Sequence, residues 1–252
     1  DLAILELERL PDQARALLLA ERPVAVGQRL WVIGNPRGEF GLWTPRAGRV
    51  LDLTTDVMKY RSGQEVEARL IRAELPIQAG FSGGPLVNDR GQVVGICTAW
   101  REATYCIDIA EVRTFLARAL RLRAHRALAA KKFDDAIRDC DESLRHNPDD
   151  PQTYNTRGAA YSFQDDYDRA IADYTQAIRL DPNFAVAYRN RGSCWYLKGD
   201  DEQAIRDCTR AIRLDATDAR AYERRGQAYA RRGERDRAEA DFAVARRLRA
   251  GK

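Results

Sequence analysis

Gly80-Phe81-Ser82-Gly83-Gly84-Pro85 sets a lone serine among glycines, ahead of two apolar runs, Leu86-Val87 and Val93-Val94-Gly95-Ile96. The turn Asn88-Asp89-Arg90-Gly91 separates the runs. A tight loop of this composition presents the hydroxyl and leaves backbone N–H groups to face an oxyanion, two of the parts that acyl transfer needs. It also reads as a glycine-rich hairpin corner with an idle serine. Serine is a poor nucleophile without an adjacent base. The chain has two histidines, His125 and His146, and both lie well after Ser82 in segments of helical pattern. The rigid geometry of a catalytic triad argues against recruiting either one.

The elements around this loop read as short strands. Asp1-Leu2-Ala3-Ile4-Leu5-Glu6-Leu7 alternates and is rich in strand formers, with an acid at its head. A strand over Val26–Gly34 runs into the turn signal Asn35-Pro36, and Gly48–Leu51 and Val66–Ile71 supply two more, with Thr54 to Gln64 as the loop between them. Short strands at this spacing predict a β-barrel or sandwich.

Three stretches carry a resemblance to a known family. Asp1-Leu2-Ala3-Ile4-Leu5, Val26 through Ile33-Gly34-Asn35-Pro36, and Gly80 through Pro85 occur in the order of the HtrA-like (DegP-type) trypsin-fold serine proteases. The likeness runs from Asp1 to about Val112. It implies that residues 1–112 form the C-terminal (second) barrel of a trypsin-like domain, with the first barrel missing. It further implies an endopeptidase working through an acyl-enzyme on Ser82, with Asp1 as the acid that orients the histidine. The backbone N–H groups of Gly80 and Ser82 would form the oxyanion hole.

Carried over in the same way, Pro76 and Ile77 fall at the base of the S1 pocket, and the Ile96-Cys97-Thr98 strand would pair with the substrate backbone. Both pocket residues are uncharged and would suit a small or medium aliphatic side chain. Ile77 and Cys97 read equally as plain core. The fold places its histidine before the aspartate, upstream of Asp1, so the 252 residues alone are expected to be inactive. An orphan second barrel would also expose an apolar face and be prone to instability or self-association. Phe81 stands where the family has Asp or Asn, and a phenyl ring cannot supply polar bracing. A second reading therefore stays open, a catalytically inactive protease-like scaffold whose later repeats bind protein partners.

The back half repeats. Asp108-Ile109-Ala110-Glu111 has the form of a capping box, and a helical pattern follows with no Gly, Pro or Ser linker before the next module. From about Ala117 the chain recurs every 34 residues: Tyr154, Tyr188 and Tyr222 align, as do Gly158, Gly192 and Gly226. Glycine or alanine at these places lets paired helices approach, and aromatic rings fill the gaps. The period and pattern resemble tetratricopeptide (TPR) units. They predict an all-α solenoid over 113–252 with four repeats (117–150, 151–184, 185–218, 219–252) and a groove that takes a peptide from a protein partner. Certain members of that family grip a C-terminal carboxylate with polar residues on successive inner helices. Asn190, Arg220 and Arg224 suit three such places, while Asn155 replaces a lysine and Ala159 an asparagine. The other reading is that these are ordinary groove polars.

Composition narrows the classes. Charged residues make up 32% and hydrophobic ones 44% of 252 residues, a globular composition with room for about two domains. No apolar run approaches the roughly 20 residues of a membrane-spanning helix. Net charge is +4, with arginines crowded between Arg224 and Arg249. They read first as a solvated outer face, and no aromatic platforms are interleaved to suit nucleic acid. Five cysteines without CxxC or zinc spacing call for no metal, and no cofactor is implied. Cys97 and Cys106 sit on neighbouring strands and could pair, but reduced buried thiols fit better. HtrA-like proteins are often extracytoplasmic; unpaired cysteines suit the cytoplasm.

Overall fold

The computed structural model describes residues 18–34, 44–59, 65–76, 81, 83–99 and 104–250. The chain divides into two compact units, Asp1–Leu116 and Ala117–Lys252.

The first unit is a closed β-barrel. Among the described residues its strands are β1 (Arg29–Gly34), β2 (Thr44–Lys59), β3 (Glu65–Glu74), β4 (Pro85–Val87), β5 (Val93–Ala99) and β6 (Thr104–Asp108). They run β1-β2-β3-β6-β5-β4 around the barrel, every neighbouring pair antiparallel. Successive strand side chains point to opposite faces. In β1, Leu30 and Val32 are fully buried while Trp31 and Ile33 are half-buried. Leu30, Val32, Val50, Ile71, Phe81, Leu86, Cys97 and Cys106 belong to the interior cluster. Leu70, Ile107, Trp31 and Ile33 pack on the other face with Ile109, Val112 and Leu116 from the start of helix α1 (Ile109–Ala129).

Two local expectations change. The segment from Thr54 is not a loop: β2 continues to Lys59 and pairs with β3 from Thr54↔Leu70 to Lys59↔Glu65. Side chains on both faces of this arm are largely exposed, Leu53 and Val57 included, so the alternation that marks a half-buried strand is absent. At the head of α1 the capping box is half made. Asp108 accepts from the Ala110 N–H at 2.7 Å, but Glu111 accepts from the Arg69 N–H of β3 at 3.3 Å and so ties helix to sheet.

The second unit is helical. After the C-terminal part of α1 come α2 (Phe133–His146), α3 (Pro151–Phe163), α4 (Tyr167–Leu180), α5 (Ala185–Lys198), α6 (Asp201–Leu214), α7 (Ala219–Arg231) and α8 (Arg235–Ala250). Aspartates start four of them: the side chains of Asp150, Asp166, Asp200 and Asp218 accept from the first-turn N–H groups of α3, α4, α6 and α7. The glycine register works as steric reasoning predicts. A Cβ on Gly158, Gly192 or Gly226 would lie 2.8–2.9 Å from Tyr174, Cys208 or Phe242, each sixteen residues on in the partner helix.

A second register joins the same helices. Arg123, Arg157, Arg191 and Arg225 each hold the aspartate sixteen residues on (Asp139, Asp173, Asp207, Asp241) through two N–H···O bonds of 2.6–2.8 Å. From the third nitrogen, Arg157 reaches Asp141 at 2.6 Å, Arg191 reaches Thr175 at 3.0 Å and Arg225 reaches Thr209 at 3.1 Å, all on the preceding repeat. Each of these three guanidiniums also lies 5.5–5.7 Å from the ring of Tyr154, Tyr188 or Tyr222, a cation–π distance. The planar fork of arginine suits this bidentate, stacked role, which lysine could not fill.

Candidate functional site

The glycine loop leads into β4 and is hydrogen-bonded to β5. Gly83 has φ +85, a left-handed turn that glycine adopts without penalty, and a Cβ there would meet nothing within 4 Å. Gly84 is the opposite case: a Cβ would lie 2.2 Å from the carbonyl oxygen of Ile33 in β1, so the loop backbone presses directly on the barrel wall. Phe81 is fully buried in the interior cluster, against Gly34 at the end of β1. The ring that replaces the family's polar residue thus anchors the loop by packing.

Both described glycine amides are engaged. Gly83 N–H donates to the Cys97 carbonyl at 2.8 Å and Gly84 N–H to the Phe81 carbonyl at 3.0 Å, while Cys97 N–H donates to the Gly84 carbonyl at 2.9 Å. Neither glycine amide is left to face an oxyanion. Asp1, Ile77, Gly80 and Ser82 lie outside the described residues. Cys97 is buried, both its backbone groups are held by the loop, and Thr98 pairs with Tyr105 of β6. The backbone of Cys97 is therefore not open to an added strand. Pro76 is exposed, on a wide depression of about 1010 Å³ lined also by Arg29, Arg49, Glu74 and Leu75, and none of Gly83, Cys97 and Thr98 lines it.

The histidines are occupied within the helical unit. His125 Nε2 and Thr156 Oγ1 are 3.0 Å apart, and His146 Nε2 lies 3.2 Å from Glu142. Burial and nearby Arg121 hold His125 below the usual imidazole range, against the pull of Asp150.

In the helical unit the structure brings together all four groove residues singled out from the sequence. Asn190 Nδ2 donates to Asn155 Oδ1 at 3.0 Å. Asn190, Arg220 and Arg224 line a cavity of about 430 Å³ with Ser193 and Gln227, closed by Arg249 of α8. Charge is unevenly cancelled there. Arg189 donates to Asp218 at 2.8 Å, and Arg249 pairs with Glu223. Among the described residues Arg220 and Arg224 have no ion pair, and Gln227 Oε1 is buried without a hydrogen-bond partner. Arg224 lies 4.9 Å from the Tyr196 ring. The cavity therefore carries two uncancelled positive charges beside aromatic and amide groups.

Sequence reasoning did not anticipate Arg189 or the arginine–aspartate register. The signal for the register was present as Arg followed by Asp sixteen residues later, recurring every 34 residues.

Comparison with known proteins divides along the same line. Residues 1–96 match the family described as Trypsin-like peptidase domain, and residues 151–184 match the Tetratricopeptide repeat. The chain is 31% identical over 96 residues to Serine protease Do-like HtrB of Bacillus subtilis (strain 168), which covers 38% of this chain and 21% of that protein. It is 31% identical over 101 residues to Protease Do-like 1, chloroplastic, of Arabidopsis thaliana, covering 39% and 22%. The chain thus spans about a fifth of the length of these curated relatives. Among solved structures MamA shares the helical fold, at 22% identity and a TM-score of 0.50, over 57% of this chain and 88% of that one. The polypeptide joins part of a trypsin-like peptidase domain, like that of the Do-like serine proteases, to a stack of tetratricopeptide repeats.

Proposed function

We propose that the chain belongs to a serine endopeptidase in which the barrel carries the nucleophile Ser82 and the repeats hold an acidic peptide segment of a substrate or regulator. Asp1 is the acid of the triad in this reading, Gly80 and Ser82 supply the oxyanion-hole N–H groups, and Ile77 and Thr98 contact the substrate. The observation that carries it is the rigid seat of the loop: Phe81 packed in the core, Gly84 against Ile33, and Gly83 and Gly84 tied to Cys97. Catalysis by an activated serine needs its Oγ fixed relative to base and donors, and a loop anchored on three sides meets that need. The repeats enter through Arg220 and Arg224, whose uncancelled charge and neighbouring Asn190 suit a carboxylate.

A second reading is favoured by the same glycines. With the Gly83 and Gly84 amides both spent inside the protein, oxyanion stabilisation rests on Gly80 and Ser82 alone. A loop kept for packing would leave an inactive scaffold whose repeats do the binding. Fluorophosphonate labelling of the protein expressed from its whole gene separates the two. Labelling that Ser82→Ala abolishes supports the peptidase. A folded protein that takes up no label supports the scaffold.

A further inference from the structure

Cys97 of β5 and Cys106 of β6 are directly opposite in the barrel, and both side chains are completely buried in the interior cluster. Their ladder position follows from the hydrogen bonds. In an antiparallel strand the N–H and C=O of one residue point to the same side. Cys97 spends both on the glycine loop, so it makes none with Cys106, and the two form a non-hydrogen-bonded pair. Such pairs have Cα atoms about 4.5 Å apart, the closest approach in a sheet and the lower edge of the ~4.4–6.8 Å span of disulfides. Each thiol acts on the other: the neighbouring Cys106 holds Cys97 below the ordinary thiol range against the effect of burial, and Cys106 itself is pushed up by Cys97 and by burial. Among the described residues all the cysteines are free.

We propose that Cys97 and Cys106 form a peroxide-sensitive dithiol that closes to a disulfide and thereby resets the Gly83–Gly84 loop. The Cys97 thiolate attacks hydrogen peroxide, giving the sulfenic acid and hydroxide. The Cys106 sulfur then attacks the sulfenic sulfur, the S–S bond forms, and the displaced hydroxide leaves as water with the Cys106 proton. The sum is two thiols and one peroxide to one disulfide and two waters. Peroxide is close to water in size and needs only a local opening of the hairpin to reach the pair.

The mechanical consequence lies in the backbone. Drawing Cys97 toward Cys106 pulls it from the far side, where it accepts from Gly83 at 2.8 Å and donates to Gly84 at 2.9 Å. Oxidation therefore loosens the loop at the point where it is tied to the sheet. The proposal holds whether or not Ser82 is catalytic.

The test uses the folded 252-residue chain treated with a few equivalents of hydrogen peroxide, then alkylated in denaturant and mapped by mass spectrometry without reduction. The expected product is a peptide pair linked Cys97–Cys106 with the loss of two hydrogens, reversed by dithiothreitol, while Cys140, Cys194 and Cys208 are alkylated. In Cys106→Ser the Cys97 peptide should instead carry added oxygen. Amide exchange at Gly83 and Cys97 should rise at least about tenfold in the linked form. A folded, peroxide-treated chain with Cys97 and Cys106 both alkylated overturns the dithiol, and a linked form with unchanged exchange overturns the coupling to the loop.

Discussion

Replacing Arg191 by alanine tests whether the arginine–aspartate register holds the repeats together. The substitution removes two bonds to Asp207, of 2.7 and 2.8 Å, one to Thr175 at 3.0 Å, and the stacking on Tyr188. Asp207 is left with its side chain 8% exposed and no counter-charge from α5. Removing one partner of a buried pair costs about 3–5 kcal/mol. The Arg191 side chain is 19% exposed, which moves the cost to the lower end through solvent screening. The lost stacking adds about 0.5–1 kcal/mol. A total of about 3.5–4 kcal/mol corresponds to a melting shift of about 12 °C for a unit of this size. Far-UV circular dichroism of the full chain reads it, because the repeats supply most of the helix. Arg191→Lys should lose roughly half as much, since charge survives and the fork does not. The internal control is Arg206→Ala, whose pair with Glu202 is 57% and 67% exposed and contributes about 0–0.5 kcal/mol. If Arg191→Ala costs no more than Arg206→Ala, the register is decoration and the reasoning fails.

Further outcomes follow from the same contacts. Gly84→Ala should destabilise the barrel more than Gly83→Ala, because one Cβ strikes the Ile33 carbonyl at 2.2 Å whereas the other meets only the left-handed backbone cost of about 1–2 kcal/mol. Urea unfolding followed by tryptophan fluorescence in a Trp195→Phe background, which leaves Trp31, Trp43 and Trp100 of the first unit, ranks them, and the reverse order would refute the steric account. Charge reversal by Arg224→Glu should weaken binding of an acidic peptide at least tenfold, about 1.4 kcal/mol, with added salt weakening the parent complex. Fluorescence polarisation measures this, and unchanged affinity would remove the cavity from the binding site. His125 has a folded value below its unfolded 6.5. Its contribution is therefore complete above pH 6.5 and is lost as pH falls through the folded value. Stability of the helical unit should decline over that range in the parent and less in His125→Gln, with equal declines counting against it.

The repeats were legible because their register is steric. Glycine or an aromatic ring recurs where two helices must touch, and no other part of the fold competes for those positions. Most of the barrel was legible for a similar reason, since β1 shows the alternation that an inside and an outside impose. The reading failed where that asymmetry vanishes. The end of β2 has Thr54, Thr55, Asp56 and Val57 exposed or nearly so on both faces, and only pairing with β3 makes it a strand. The spacing of Glu111 matches a cap, but in the structure its carboxylate accepts from the Arg69 N–H of a strand 42 residues away. That contact is tertiary and leaves no trace in local sequence.

The arginines show why charge by itself could not locate the groove. The C-terminal run reads as a solvated face, yet Arg224 and Arg225 are neighbours that do different things. Adjacent residues on a helix point about 100° apart. Arg225 is directed between α7 and α8, where Asp241 takes its fork and its side chain is 17% exposed. Arg224 is directed at Tyr196 and the cavity beside Asn190, with no carboxylate among the described residues to cancel it. The first arginine stabilises the solenoid; the second is available to a ligand. Counting positive charge in this repeat therefore overstates the binding surface. What marks the groove is the subset of arginines that the fold does not consume, and that subset emerges only after each guanidinium has been matched to its aspartate.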